Sequence, residues 1–353
     1  MSERGLRTPF LRMAKEGDVL PAARFTRGGG AGASIGDQAA DDRILSRLDD
    51  GATLVLQALH RSWPPLVRFG SALSDELGHP VQINAYITPP ENRGFAPHYD
   101  VHDVFVLQVS GRKRWRIHAP VVTDPLADQP WEKSRAAVSA RAADDEPLID
   151  TVLEPGDALY LPRGTIHAAE ALGETSIHLT VGVHPLTRYD LVRHLLTLAE
   201  ADPQLRTSLP MGVDLGDPDT LAPFLAETVA ALRDQLDAQS AAAVARRVAD
   251  DLMSRTRPAP VGPLAQLEAA RSLRLDTVLR RRPGLRVRTA ESDDGVRLEL
   301  LDRSITLPSA AADAVKTALS GADFTPAELP GLDDDGRLVV ARRLLREAVL
   351  VAP

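Results

Sequence analysis

Residues 81–185 constrain this chain more than any other part of it. They form a series of short apolar runs, each closed by a turn signal. VQINAYIT (81–88) alternates with period two and ends at Pro89-Pro90. DVFVLQV (103–109) and KRWRIHA (113–119) flank Ser110-Gly111, the spacing of a hairpin. Segments 148–153 and 158–161 flank Glu154-Pro155-Gly156-Asp157, and TSIHLTVGVHP (175–185) closes the block. Strands this short and regular predict a β-sandwich or jelly roll.

The flanks read differently. Residues 1–24 are expected to be a short helical or irregular lead-in, 37–48 a helix and 52–58 a strand. Residues 61–78 form a helix, with Pro64-Pro65 in its first turn and Gly78 as its stop. The glycine run 27–36 lacks the Lys-Ser/Thr of a P-loop and the G-x-G-x-x-G spacing, so it reads as a surface loop. Residues 120–147 are a long insert, a loop with broken helix of the kind that forms lids or substrate walls. After Leu186 the periodicity is helical over 188–200 and 221–236, 241–253 is alanine-rich, and Arg257-Pro258-Ala259-Pro260 reads as a linker. Beyond it, strands and helices alternate on the scale of a small winged-helix-like unit. The expected class is α+β: a core domain over 1–185, helices over 186–257, and a winged-helix-like domain over 258–353.

The chemistry points to a metal. His98-Tyr99-Asp100 places a histidine and a carboxylate two residues apart, on one face of extended backbone. His167, after the turn EPGDALYLPRGTIH, is the third candidate ligand. The 353 residues contain no cysteine, so thiolate and iron–sulfur sites are excluded. Histidine and carboxylate suit iron, manganese or zinc. Two histidines and one carboxylate on one face of Fe(II) leave positions for a bidentate 2-oxo acid and O2. Such a co-substrate needs a cation for its far carboxylate. Alternation sets Lys113 and Trp115 on one face and Arg112, Arg114 and Arg116 on the other, which makes Lys113 the inward cation. Asn84 and Tyr86 share a face of the preceding strand and carry hydrogen-bonding groups for the co-substrate or the metal's surroundings.

HYDVHDVFVLQVSGRKRWRI, with NAYITPP upstream and PGDALYLPRGTIHAAEA downstream, resembles the JmjC-type cupin oxygenases that hydroxylate ribosomal proteins. The resemblance covers residues 50–185 closely and the remainder in layout. It implies a double-stranded β-helix core, Fe(II), 2-oxoglutarate and O2, and hydroxylation of a side-chain carbon. It also implies His98, Asp100 and His167 as the iron triad and Lys113 as the anchor of the 2-oxoglutarate C5 carboxylate. Asn84 and Tyr86 match positions lining the co-substrate pocket. Gly182 departs from the hydroxyl residue that relatives often carry there, and Thr180, on the same face, is a candidate to replace it. In this family the middle helices dimerise, and the winged helix is generally not a DNA reader.

Other readings set the limits. His102 shares the His98/Asp100 face and reads as pocket wall or polar surface, and His178 as a residue beside the metal site. The remaining histidines lack paired spacing. The arginines at 280–282, 286 and 288 read as a solvated face, since acidic segments lie nearby. A formal net charge of -8 disfavours generic binding to nucleic acid or anionic membrane. With no apolar leader and no spanning segment, a soluble cytoplasmic protein is expected. A homodimer acting on a protein or peptide, possibly a ribosomal protein, is the leading expectation. Alternatives are an oxygenase of a natural-product peptide or small molecule, and a metal-free cupin acting as a binding module.

Overall fold

A computed structural model describes residues 6–30 and 35–352. Two antiparallel sheets pack face to face in its first half. The larger has seven strands, in the order Ala158–Leu161, Asp103–Ser110, Ser176–Val183, Val81–Thr88, Thr53–Leu56, Leu11–Lys15, Asp18–Val19. The smaller has three, in the order Ile166–Ala171, Lys113–His118, Ile149–Leu153. Val104 and Val106 of the larger sheet pack against Trp115, Ile117 and Leu153 of the smaller one. Apolar side chains at alternate positions thus fill the space between the sheets, the arrangement of a two-layer β-fold. The helix Pro64–Leu77 covers the outer face at Val81–Thr88, burying Val67 and Gly70. It starts on two prolines and ends at Gly78 with φ 68°, as expected.

Two expectations need correction. Asp103–Ser110 and Lys113–His118 do not pair as a hairpin. The first pairs with Ser176–Val183 and Ala158–Leu161, the second with Ile166–Ala171 and Ile149–Leu153. The chain changes sheets at Gly111, whose φ is 65° and where a Cβ would lie 2.3 Å from the Thr175 carbonyl oxygen. Buried Gln108 holds this corner. Its amide donates to the carbonyls of Ser110 and Gly111 and to the Ser176 hydroxyl, each at 2.9 Å. A side chain thereby satisfies the backbone groups that strand pairing would have used.

The second correction concerns the lead-in. Within it, Leu11–Lys15 is a strand that buries Leu11, Met13 and Ala14 and pairs with Thr53–Leu56. Residues 1–5 of that expectation, and 31–34 of the glycine run, lie outside the described residues.

The insert contains a short turn of helix, Trp131–Ser134, running into the helix Arg135–Asp144. It packs down onto the chain: Val138, Tyr99 and Ile166 form one buried cluster, and the Tyr99 hydroxyl donates to the Gln129 carbonyl at 3.0 Å.

Three helices follow, Arg188–Ala199, Pro218–Ala238 and Ala241–Arg255, the first opened by a Thr187/Asp190 capping box. The last part has its own core, built from the helices Pro263–Arg271, Ala312–Leu319 and Asp334–Arg346 and the strands Gly295–Glu299 and Ser304–Leu307, with the exposed strand Arg288–Ser292 paired along Gly295–Glu299. Among the described residues no helix is long and apolar enough to cross a membrane.

Candidate metal centre

His98 and His167 are joined through their backbones. His98 N–H donates to the His167 carbonyl at 3.2 Å, and His167 N–H to the His98 carbonyl at 2.9 Å. This bridge continues the edge of the smaller sheet beyond Ile166–Ala171. It sets the two rings 4.4 Å apart. Asp100, two residues on, brings Oδ2 to 3.7 Å from His167 Nε2. Tyr99 between them points the other way, into the cluster beneath the insert. The ligand atoms of His98, Asp100 and His167 all lie within 4.8 Å of one another.

The surroundings prepare these atoms for a cation. Nδ1 of His98 lies 2.7 Å from the Ala96 carbonyl, and Nδ1 of His167 lies 3.0 Å from the Thr165 carbonyl. A carbonyl only accepts, so both Nδ1 atoms carry the proton and both Nε2 atoms offer lone pairs. Burial lowers the His167 pKa to about 4, so its imidazole is neutral at pH 7. Burial works against the Asp100 carboxylate, but His167 and His98 outweigh it and hold its pKa below the usual value. Neutral imidazoles beside an ionised carboxylate are the forms that bind metal. Two nitrogens and one oxygen on one side suit iron or manganese with positions left open.

Lys113 lies in the same interior and is 3% exposed. Its ammonium donates to Thr88 Oγ1 at 2.9 Å, and Thr88 bonds Thr53 at 3.0 Å. Among the described residues no carboxylate pairs with it, and burial lowers its pKa to about 7. A buried ammonium with only a hydroxyl for company is costly unless an anion joins it. His178 sits beside it, stacked on Tyr86 at 4.8 Å and edge-on to Trp115 at 5.4 Å. Its Nδ1 has no protein partner, and burial holds its pKa well below the ordinary value, with Lys113 adding to the effect. Lysine and histidine thus present unmet polar capacity in one place.

The other expected residues surround this point. Thr180 faces Asn84, and His178 faces Tyr86, across paired strands. Asn84 commits its side-chain oxygen to the Ala58 N–H at 3.0 Å, which leaves its NH2 for a ligand. Thr180 and Arg12 lie beside the Tyr86 hydroxyl, whose pKa burial raises. Gly182 is explained by His102: a Cβ at 182 would meet its ring atoms at 2.7 Å. His102 stacks on His184 at 4.5 Å and stands outside the metal-ligand group. His60 and His79 are structural, each accepting a backbone N–H, from Ile83 and Leu186.

Sequence spacing does not mark Thr88 or Arg12, and it does not show the stacking of His178 on Tyr86. Arg12 holds its guanidinium 5.2 Å from the Phe95 ring centroid, and its Nε has no partner. The signal for Arg12 is the alternation Leu11-Arg12-Met13, too short to define a period.

Residues 63–191 match the JmjC domain family. The chain carries a JmjC domain. All the candidate ligands and Lys113 fall within it. Curated relatives include Ribosomal oxygenase 1 of Homo sapiens, 35% identical over 204 residues, which are 55% of this chain and 31% of that protein. Another is the bifunctional lysine-specific demethylase and histidyl-hydroxylase NO66 of Drosophila persimilis, 41% identical over 140 residues, 38% of this chain and 19% of that protein. The chain thus spans less than a third of the length of these two relatives. Among solved structures, Escherichia coli ribosomal oxygenase YcfD matches with TM-score 0.51 and 20% identity, over 100% of this chain and 88% of that one. That likeness is one of fold.

Proposed function

We propose that this JmjC protein is an Fe(II)- and 2-oxoglutarate-dependent oxygenase that hydroxylates a protein side chain, with an arginine or histidine of a ribosomal protein as the leading substrate. One observation carries the reading. The His98/Asp100/His167 group shares an interior with a buried lysine that lacks an anion. A metal site alone requires no such lysine, whereas a dicarboxylate chelating the metal delivers its second carboxylate to one.

In this reading His98, Asp100 and His167 hold the iron. Lys113 and Thr88 bind the distal carboxylate of 2-oxoglutarate, and Asn84, Tyr86 and Thr180 orient its chain. Bound iron with 2-oxoglutarate and O2 supplies oxidative decarboxylation to succinate and CO2, coupled to hydroxylation of a C–H bond. The protein keeps both imidazoles in the ligating tautomer and encloses the site with Trp115, His178 and the packed insert. Trp131 of the insert stands 6.2 Å from the His98 ring and forms part of the wall a substrate meets.

The rest of the proposal is architectural. The parts are an oxygenase domain over 1–185, a dimerisation region over 186–257 and a winged-helix-like domain over 258–353, in a cytoplasmic homodimer. Exposed Tyr189, Leu191, Val192, Leu225 and Val229 support the helical region as the dimer contact. The names of the relatives support the ribosomal substrate. The test is succinate formation from 2-oxoglutarate on addition of ribosomal proteins, with mass spectrometry for a gain of one oxygen. Stimulation by a ribosomal protein is expected; stimulation by none of them rejects the substrate assignment.

A further inference from the structure

The arginines between 280 and 288 do not form one solvated face. Arg280 pairs with Asp323 at 2.9 Å, and Arg288 with Glu299 and Asp250. Arg281 reaches the Leu319 carbonyl. Arg282 and Arg286 instead turn into a cleft of about 390 Å³ that the C-terminal part forms with the segment 253–260 and with Arg61. Three more arginines line it: Arg61 from the short helix Leu59–Ser62, Arg257 after Ala241–Arg255, and Arg303 before Ser304–Leu307. Asp302 is the one carboxylate residue in that lining. A smaller cavity of about 220 Å³ adjoins it, sharing Arg61, Arg257 and Arg286.

These charges are poorly compensated. Arg303 is paired with Asp302 at 2.8 Å and Glu347 at 3.1 Å, and Arg286 stands 3.7 Å from Asp75. Among the described residues, Arg61, Arg257 and Arg282 pair with no carboxylate. Arg257 donates to the carbonyls of Ser254 and Thr256, and Arg282 to that of Ala259 at 2.6 Å. Burial, with Arg303 nearby, lowers the Arg282 pKa. Of the acidic residues nearby in sequence, Glu291 pairs with Lys316, Asp333 caps Asp334–Arg346 and Asp334 pairs with Arg337. Leu285, Leu300 and Leu301 give the same cleft an apolar side.

We propose that this cleft is a binding site for a small phosphorylated ligand with an apolar body, a nucleoside diphosphate in class, held by Arg61, Arg257, Arg282 and Arg286. Guanidinium forks match phosphoryl oxygens in pairs. The volume is that of a small-molecule site. The net charge of -8 argues against a long nucleic acid as the occupant. The site is separate from the metal centre and independent of its proposed chemistry.

The test is calorimetric titration of the full chain with ADP, and in parallel with a single-stranded RNA oligonucleotide. Expected is saturable ADP binding, weakened at least about tenfold in Arg61→Glu and in Arg257→Glu. Arg61 is exposed, so its variant folds even if Arg257→Glu does not. Lys113→Ala keeps the affinity, because the oxygenase interior is a different place. Absence of ADP binding overturns the proposal. So does binding that ignores the arginine substitutions, binding lost in Lys113→Ala, or binding of the RNA alone.

Discussion

Lys113 donates to Thr88 at 2.9 Å across the interior between the sheets, with no carboxylate beside it among the described residues. This pair links the folding and the proposed chemistry. The folded pKa of about 7 lies below the ordinary 10.5. Between these values the unfolded chain holds a proton that the folded chain lacks, so stability rises with pH through that window. Below about 7 both states are protonated and the cost of burial is fully present. Ligand-free protein is therefore expected to melt higher at pH 9 than at pH 7. Lys113→Met flattens that difference and adds about 1–4 kcal/mol at pH 7, while raising the KM for 2-oxoglutarate. Melting curves at both pH values and 2-oxoglutarate kinetics check this; an unchanged KM removes Lys113 as the anchor.

His102 and Gly182 occupy complementary space. Gly182→Ser drives a side chain into the His102 ring and is expected to cost about 1–3 kcal/mol. Removing the ring in His102→Ala, Gly182→Ser relieves much of that loss. A double-mutant cycle by denaturant unfolding measures the coupling. Additive effects would show that the two positions do not share that space.

Tyr99 fastens the insert through its hydroxyl bond to Gln129. Tyr99→Phe removes that bond and keeps the ring packed, at about 0.5–1.5 kcal/mol. Hydrogen exchange is expected to rise over 120–147 and to stay level over 176–183. Uniform acceleration would mean that the insert is not separately fastened.

Much of the site was legible because its residues carry chemistry at fixed intervals. His98 and Asp100 share a face two residues apart, and the alternation from Lys113 to Ile117 shows directly in burial. The corner at Gly111 was not legible: a two-residue turn reads alike whether its flanking strands pair or part to different sheets. What decides it is Gln108 bonding Ser176, a contact across 68 residues. Arg12 was hidden for a related reason. A five-residue strand shows its period only once Thr53–Leu56 lies beside it. The arginine cleft gathers side chains from four separate segments, and spacing along the chain does not record such a meeting.

The most direct measurement is an anaerobic titration of the Fe(II)-loaded protein with 2-oxoglutarate, followed by the visible charge-transfer absorption of the chelate. The wild type is expected to develop the absorption and saturate. His98→Ala and His167→Ala are expected to show none, and Lys113→Ala is expected to need at least about tenfold more 2-oxoglutarate. A wild type that binds neither Fe(II) nor 2-oxoglutarate, or histidine variants that titrate like the wild type, would contradict the account.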